Sequence, residues 1–311
     1  MTPRTKTRSS YRNNVKRGSS FGNGAGGASW IDIVNPTEKD LKWVHDKFHL
    51  HPVIFDELRD PSARAEVEVY KNYIYLAYYF PVYEPGEETS RKAEIDFVIT
   101  PNSVVTVHYE PIEALKDFHQ KTAENSLMMF YRIIEKILKF QERQLTHIGE
   151  KTETIGRHLF KERERDVLQR ISRIKRDVSE YRVIVRNQGQ ILKSLLTKGP
   201  IFWGADETPY LTDLFGDHLK IMNQIDDYRE AISDYEDTNN QLMNLKINAS
   251  MRMFTTLSFL TFPFMLIAAM FGMKAGGTPF VNDPNGFWVI TISIGALMIA
   301  LGIYFKKREW L

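Results

Sequence analysis

The chain has 311 residues, 41 Lys and Arg against 39 Asp and Glu, and no cysteine, with a mean hydropathy of −0.34. These averages suit a soluble protein of about two domains, yet roughly the last sixty residues are almost wholly apolar, which excludes an ordinary cytosolic enzyme. The missing cysteine excludes disulfide frameworks, thiolate zinc sites and cysteine nucleophiles, so a metal must find oxygen, nitrogen or thioether ligands.

Residues 1–29 carry Arg4, Lys6, Arg8, Arg12, Lys16 and Arg17 and no acid, which leaves 35 cations against 39 acids elsewhere. With Ser19, Ser20 and the glycine-rich stretch 22–27, this segment reads as a disordered basic tail rather than a secretory signal. Anionic headgroups are a conceivable contact for it; no nucleic-acid partner is expected. From Trp30 the pattern becomes that of a compact α+β cytosolic domain covering 30–111. Trp30–Val34 reads as a strand, and Asn35-Pro36-Thr37-Glu38 starts a helix through Leu41, Val44 and Phe48. Val67–Tyr70 and Tyr73–Phe80 read as paired strands, followed by strands at Glu94–Thr100 and Val104–Tyr109.

After Pro111 the period turns helical. Leu127, Tyr131, Ile134, Leu138, Gln141, Leu145, Ile148, Thr152, Ile155 and Leu159 form one seam with the four-and-three spacing of a coiled coil. Val167, Ile171, Ile174, Val178, Tyr181, Val185, Gln188, Leu192 and Leu195 form a second. A break near Lys161–Glu164 predicts an antiparallel helical hairpin within 112–200, ended by Gly199-Pro200. A third, stalk helix over 207–273 opens at Thr208-Pro209 and shows Leu214, His218, Ile221, Ile225, Tyr228, Ile232, Tyr235, Asn239 and Leu242 in the same register. At 1.5 Å per residue, Pro209 to Met273 spans roughly 95 Å, far more than a bilayer core.

Met253–Met273 supplies 21 uncharged residues and Phe287–Phe305 another 19, each long enough to cross a bilayer. Lys246 and Arg252 precede the first span, Lys306-Lys307-Arg308 open the basic tail 306–311 after the second, and the loop 274–286 holds only Lys274 and Asp283. The positive-inside rule therefore puts both termini in the cytoplasm, in a multi-pass protein of the cell's inner membrane. Asp283 before Pro284 reads as a turn former. Two helices cannot enclose a polar path, so transport needs several copies around an axis. Asn248, Met251, Phe254, Ser258, Phe262 and Met265 form one stripe on the first span, and Pro263 is a kink candidate. No P-loop, Gly-x-Gly-x-x-Gly, His-Glu-x-x-His or Gly-x-Ser-x-Gly motif occurs, so no enzymatic activity and no organic cofactor is expected; His49 and His51 read as structural.

In the order of its parts the chain resembles the CorA family of divalent-cation channels. The local resemblance lies in His51-Pro52-Val53-Ile54-Phe55-Asp56-Glu57, in 210–218, in Pro263, in Phe271-Gly272-Met273 and in the ending Phe305-Lys306-Lys307-Arg308-Glu309-Trp310-Leu311. The resemblance implies a homopentameric funnel in the lipid bilayer, with the six stripe residues lining its pore, Mg²⁺ as permeant and regulatory ion, and Co²⁺ or Ni²⁺ as further cargo. A bare apolar stretch of such a pore stops ions by dewetting. It also implies a cytosolic divalent site that holds the funnel closed; Asp213 occupies the matching position and Asp217 lies one turn on, while Glu84, Glu87 and Glu88 are candidates for the acid across the interface. Asp226, Asp227, Glu230, Asp234, Glu236 and Asp237 add negative potential along the stalk.

The family's outer-mouth signature is Gly-Met-Asn, and here it reads Gly272-Met273-Lys274. Asn carbonyls can hold a hydrated Mg²⁺, whereas Lys has donors only. Five ammonium groups about 7 Å from a divalent ion repel it by about 6 kcal/mol in bulk water and by about 2–3 kcal/mol after screening. Occupancy would fall about a hundredfold unless Lys274 snorkels outward. Two alternatives stay open: a zinc transporter of the ZntB-like branch, suggested by Gly276-Gly277-Thr278-Pro279, and a non-conducting pentameric sensor or scaffold.

Overall fold

The computed structural model describes residues 27–59, 67–84, 89–273 and 283–307. Most of the basic tail, Glu87 and Glu88, most of the outer loop with Lys274, and residues 308–311 lie outside them. The chain divides after Tyr235 into two compact units.

The first unit is built on a six-stranded mixed sheet, β1 (Ala28–Val34), β2 (Val67–Val69), β3 (Ile74–Glu84), β4 (Thr89–Thr100), β5 (Ser103–His108) and β6 (Thr122–Ala123), in the order β2-β3-β4-β5-β1-β6. The strands β2 to β5 pair antiparallel with their sequence neighbours, whereas β1 inserts parallel to β5, from Ser29 opposite Ser103 to Val34 opposite His108. β4 begins five residues before the expected Glu94, because its pairing with β3 runs on to Glu84 opposite Thr89. Its exposed Arg91 and Lys92 break the apolar pattern there without breaking the ladder.

Both sheet faces are covered. On one lie α1 (Glu38–Phe48), started by a Thr37–Asp40 capping box, and α2 (Pro52–Glu57), whose Val53 amide donates to the His51 ring. Leu41, Val44, Ile54 and Leu58 pack there with Tyr75, Val98, Val105 and Val107. On the other face Phe97 meets Phe130 edge-on at 5.2 Å, and Trp203 stacks on Phe130. These partners come from α3 (Ser126–His158), capped by the Asn125 side chain, and α4 (Glu164–Trp203), the two arms of the hairpin. Both seams are buried except at the half-buried Tyr131 and Ile174, and the buried members include the polar Gln141, Thr152 and Gln188.

α4 does not stop at Gly199-Pro200 as the sequence suggested. Pro200 falls in the last turn, and the helix closes at Gly204, whose amide reaches the Pro200 carbonyl at 3.0 Å. Gly204 has φ 104°, a conformation glycine adopts without a Cβ clash. Gly199 serves packing instead: a Cβ there would lie 2.6 Å from Leu211 Cδ1.

α5 (Thr208–Gly272) is one unbroken helix of 65 residues that contains Pro263. Within the first unit it lies parallel to α3, with Tyr228 seated on Gly149 and Tyr235 on Gly156, where a Cβ would come within 2.6 Å of the phenol oxygen. The buried His218 sits in the same way on Gly189 of α4. The second unit holds the rest of α5 and α6 (Gly286–Lys307). Both helices are long and apolar enough to cross a membrane. Just before α6, Asp283 accepts from the Asn285 amide at 3.2 Å, the turn-forming role its sequence suggested.

Candidate ion path and cytosolic cation site

The second unit places the stripe residues on one side of α5. Met251, Phe254, Phe262 and Met265 are between 64 and 69 % exposed, and Asn248 and Ser258 are exposed as well. The buried positions of this segment, Thr256 and Phe264, lie elsewhere around the helix. An apolar helix therefore presents an amide, one hydroxyl and two thioethers on one exposed side. Beside them a groove of about 630 Å³ is lined by Thr255, Ser258, Phe259, Phe262, Pro263 and Leu266.

Its hydroxyls are satisfied locally. Ser258 donates to the Phe254 carbonyl at 2.9 Å, and Thr255, Thr256 and Thr261 make the same bond one turn back. Such back-bonding lets polar residues sit in an apolar span while leaving the oxygen's lone pairs available to accept. Pro263 has no amide hydrogen for the carbonyl of Phe259, which frees one backbone acceptor in mid-span. The helix ends at Gly272, and the Met273 amide closes a turn on the Met270 carbonyl; Lys274, the third residue of the mouth triplet, lies outside the described residues.

In the first unit, Asp213 and Asp217 lie on the early turns of α5 and line a shallow hollow of about 650 Å³ with Thr208, Pro209, Thr212 and Gly216. Asp213 accepts from the Tyr131 hydroxyl at 2.6 Å, and the Tyr131 ring meets Tyr210 edge-on at 5.6 Å. Burial raises the Asp217 carboxyl above its ordinary value, and the Asp213 charge adds to this. A positive ion at this point relieves both effects. Among the described residues no group of three or more His, Asp or Glu is arranged to hold a metal ion, so the two aspartates are at most part of a coordination sphere. Glu84 is engaged elsewhere, its carboxylate 3.2 Å from Arg91 Nε.

The sequence reading missed the surroundings of these aspartates. Glu142 on α3 binds Lys220 on α5, and Glu135 binds Lys139, both at 2.6 Å. The i,i+4 spacing is a signal that could have found the second pair; the first, like Tyr131–Asp213, joins residues far apart in the chain.

The family description "CorA-like Mg2+ transporter protein" matches residues 25–307. The cobalt/magnesium transport protein CorA of Thermotoga maritima is 20 % identical over 292 residues, covering 91 % of this chain and 83 % of the relative. The protein of that name from Methanocaldococcus jannaschii is 21 % identical, with 91 % of both chains covered. Among solved structures, the complete CorA magnesium transporter of M. jannaschii superposes with a TM-score of 0.79 at 20 % identity, over 91 % of both chains. The cytoplasmic domain of ZntB from Vibrio parahaemolyticus gives 0.55 at 13 % identity, over 70 % of this chain and 88 % of the domain. Sheet, hairpin, stalk and apolar helix pair thus follow one established architecture, and the chain belongs to the CorA family.

Proposed function

We propose that the protein is a passive channel for divalent cations, chiefly Mg²⁺ and also Co²⁺ or Ni²⁺, formed by five copies in the inner membrane with both termini in the cytoplasm. The observation that carries this reading is the stripe Asn248, Met251, Phe254, Ser258, Phe262 and Met265, exposed along an apolar helix of a CorA-family chain. Five copies would turn these faces to a common axis, with Asn248 toward the cytoplasm, Phe254 and Phe262 as apolar constrictions, and Gly272, Met273 and Lys274 at the outer mouth. Moving two charges through 100 mV yields about 4.6 kcal/mol, enough for uptake without ATP.

Asp213 and Asp217 form the intracellular control in this reading. A Mg²⁺ ion held between them and an acid of the next copy relieves their repulsion and favours the closed arrangement, and its loss opens the funnel. The test of the whole reading is Mg²⁺ entry into proteoliposomes under an inside-negative potential, with oligomer mass measured in mild detergent. Flux by a pentamer supports the channel; a purified monomer sinks it. Preferential Zn²⁺ entry would move the chain to the ZntB-like branch.

A second reading, a membrane-anchored sensor or scaffold, is favoured by Lys274, which stands where the family's mouth has Asn. That reading expects Mg²⁺-dependent thermal stabilisation, lost in Asp213→Asn, with no flux from either the native protein or Lys274→Asn.

A further inference from the structure

The ion pairs around Asp213 and Asp217 form one electrostatic group. Glu135 and Glu142 lie on the same side of α3, one heptad apart, and each binds a lysine at 2.6 Å: Lys139 from α3 itself and Lys220 from the facing α5. The group is coupled beyond these pairs. The Tyr131–Asp213 bond and the Glu142–Lys220 pair tie α3 to α5 at two points, both at 2.6 Å, and Glu135, Lys139 and Asp217 all lie on the turns between them. The Lys139 ammonium is held protonated first by its bond to Glu135, with Asp217 and Asp213 adding to the effect. Tyr131 completes the set as a neutral donor to Asp213.

Four carboxylates and two ammonium groups leave a charge of −2, which a single divalent ion neutralises. Both lysines are exposed side chains, 59 % and 66 %, on four-carbon stems long enough to reach toward or away from the aspartates.

We propose that Lys139 and Lys220 are built-in counter-cations of the Asp213–Asp217 site, filling its field when no divalent ion is bound and thereby setting how much Mg²⁺ is needed to occupy it. This rests on the reading of Asp213 and Asp217 as the cytosolic cation site. The lysines are not ligands. They compete with the ion electrostatically and lower its affinity, so the Asp213–Asp217 site answers only to abundant Mg²⁺. Removing either charge leaves −3 and tightens binding; a single charge about 7 Å from a divalent ion changes its affinity about fivefold, and less at high salt.

The experiment measures the thermal stability of the full-length protein in detergent against Mg²⁺ concentration, for the native chain and for Asp213→Asn, Lys139→Gln, Lys220→Gln, Lys220→Arg and Lys42→Gln. The quantity read is the Mg²⁺ midpoint, not the ion-free melting temperature, which the loss of a helix–helix ion pair could move by itself. The expected result is an Mg²⁺ response abolished by Asp213→Asn, a midpoint about fivefold lower in each Lys→Gln variant at the site, and native midpoints in Lys220→Arg and in Lys42→Gln on distant α1. If Asp213→Asn abolishes the response but Lys139→Gln and Lys220→Gln keep the native midpoint, the counter-cation role is overturned and the sensor reading stands. If Lys42→Gln shifts the midpoint equally, net charge rather than position is responsible, and the proposal falls. If the native protein shows no response that Asp213→Asn removes, the site reading fails and the proposal with it.

Discussion

The unit up to Tyr235 and the unit from Glu236 on are built to opposite rules. The first buries its large side chains within one chain, among them Tyr78, Phe80, Phe97, Phe130 and Tyr181. In the second, Asn239, Thr256 and Phe264 are the buried side chains of described α5, and Met and Phe residues turn outward along its whole apolar length. A sheet covered on both faces draws its stability from its own core. On the channel reading proposed above, the apolar helices of the second unit find their cover in lipid and in other copies. The difference teaches that the large side chains of the first unit find their cover within one chain, whereas most of those on the apolar part of described α5 do not.

The sharpest way to break that comparison is at the mouth. Lys274→Asn is expected to raise Mg²⁺ flux about a hundredfold if the ammonium ring is the barrier, read with an internal dye in liposomes. Equal flux in both proteins would show that Lys274 turns away from the axis.

Within the first unit, the α3–α5 seam predicts the next largest effect. Gly156→Leu drives a side chain into Tyr235 and should cost about 1–3 kcal/mol, seen as a lower melting temperature of the cytosolic unit. Gly302→Leu on α6, where an added Cβ meets nothing within 4 Å, should leave that melting unchanged.

Two buried ionisable groups give the first unit a pH profile of its own. Burial lowers His218 from 6.5 to about 4. The unfolded chain then takes up a proton that the native state refuses as the pH falls from about 6.5 toward 4. Stability is full above that window and drops by roughly 3 kcal/mol across it, a slope that His218→Gln should flatten in pH-dependent melting. Asp96 has the opposite sign. It lies under the α1–α2 face, receives hydrogen bonds from Tyr75 and Tyr109 at 3.1 and 3.3 Å, and is pushed well above the usual carboxylate range by burial and the Glu94 charge. The native state keeps its proton where the unfolded chain has lost it, so stability falls as the pH rises past the ordinary carboxylate value. Asp96→Asn should therefore stabilise the unit at neutral pH by about 1 kcal/mol, with little gain at pH 3.

The smallest expected effect is at the surface: Arg91→Gln, which breaks exposed pairs to Glu84 and Glu110, should change stability by less than about 1 kcal/mol.

Much of this architecture was legible because it is periodic. The seams through Leu127–Leu159 and Val167–Leu195, the continuity of α5 and the two apolar runs all follow from spacing. What escaped was non-local. That β1 enters beside β5 rather than beside β2 depends on pairings across more than seventy residues, and no local pattern encodes them. Gly199-Pro200 looked like a stop because the terminus that matters, Gly204, is set by how the last turn packs on Leu211 and Ser126, the latter bonded to Trp203 Nε1 at 3.0 Å. The stripe on α5 could be written down from its spacing, and Asp213 from family likeness. Tyr131, Glu142 and Lys220 could not, since only the side-by-side placement of α3 and α5 brings them to the aspartates.

The two glycines of α3 and the two tyrosines of α5 share one spacing: 149 and 156 differ by seven, as do 228 and 235. They work as two teeth of a rack in two matching slots. Any slide of α5 along α3 short of a whole heptad, about 10.5 Å, drives both phenols at once into backbone carrying side chains. Small displacements of this part of α5 must therefore carry the hairpin along, so α3, α4 and the first turns of α5 move as a single lever.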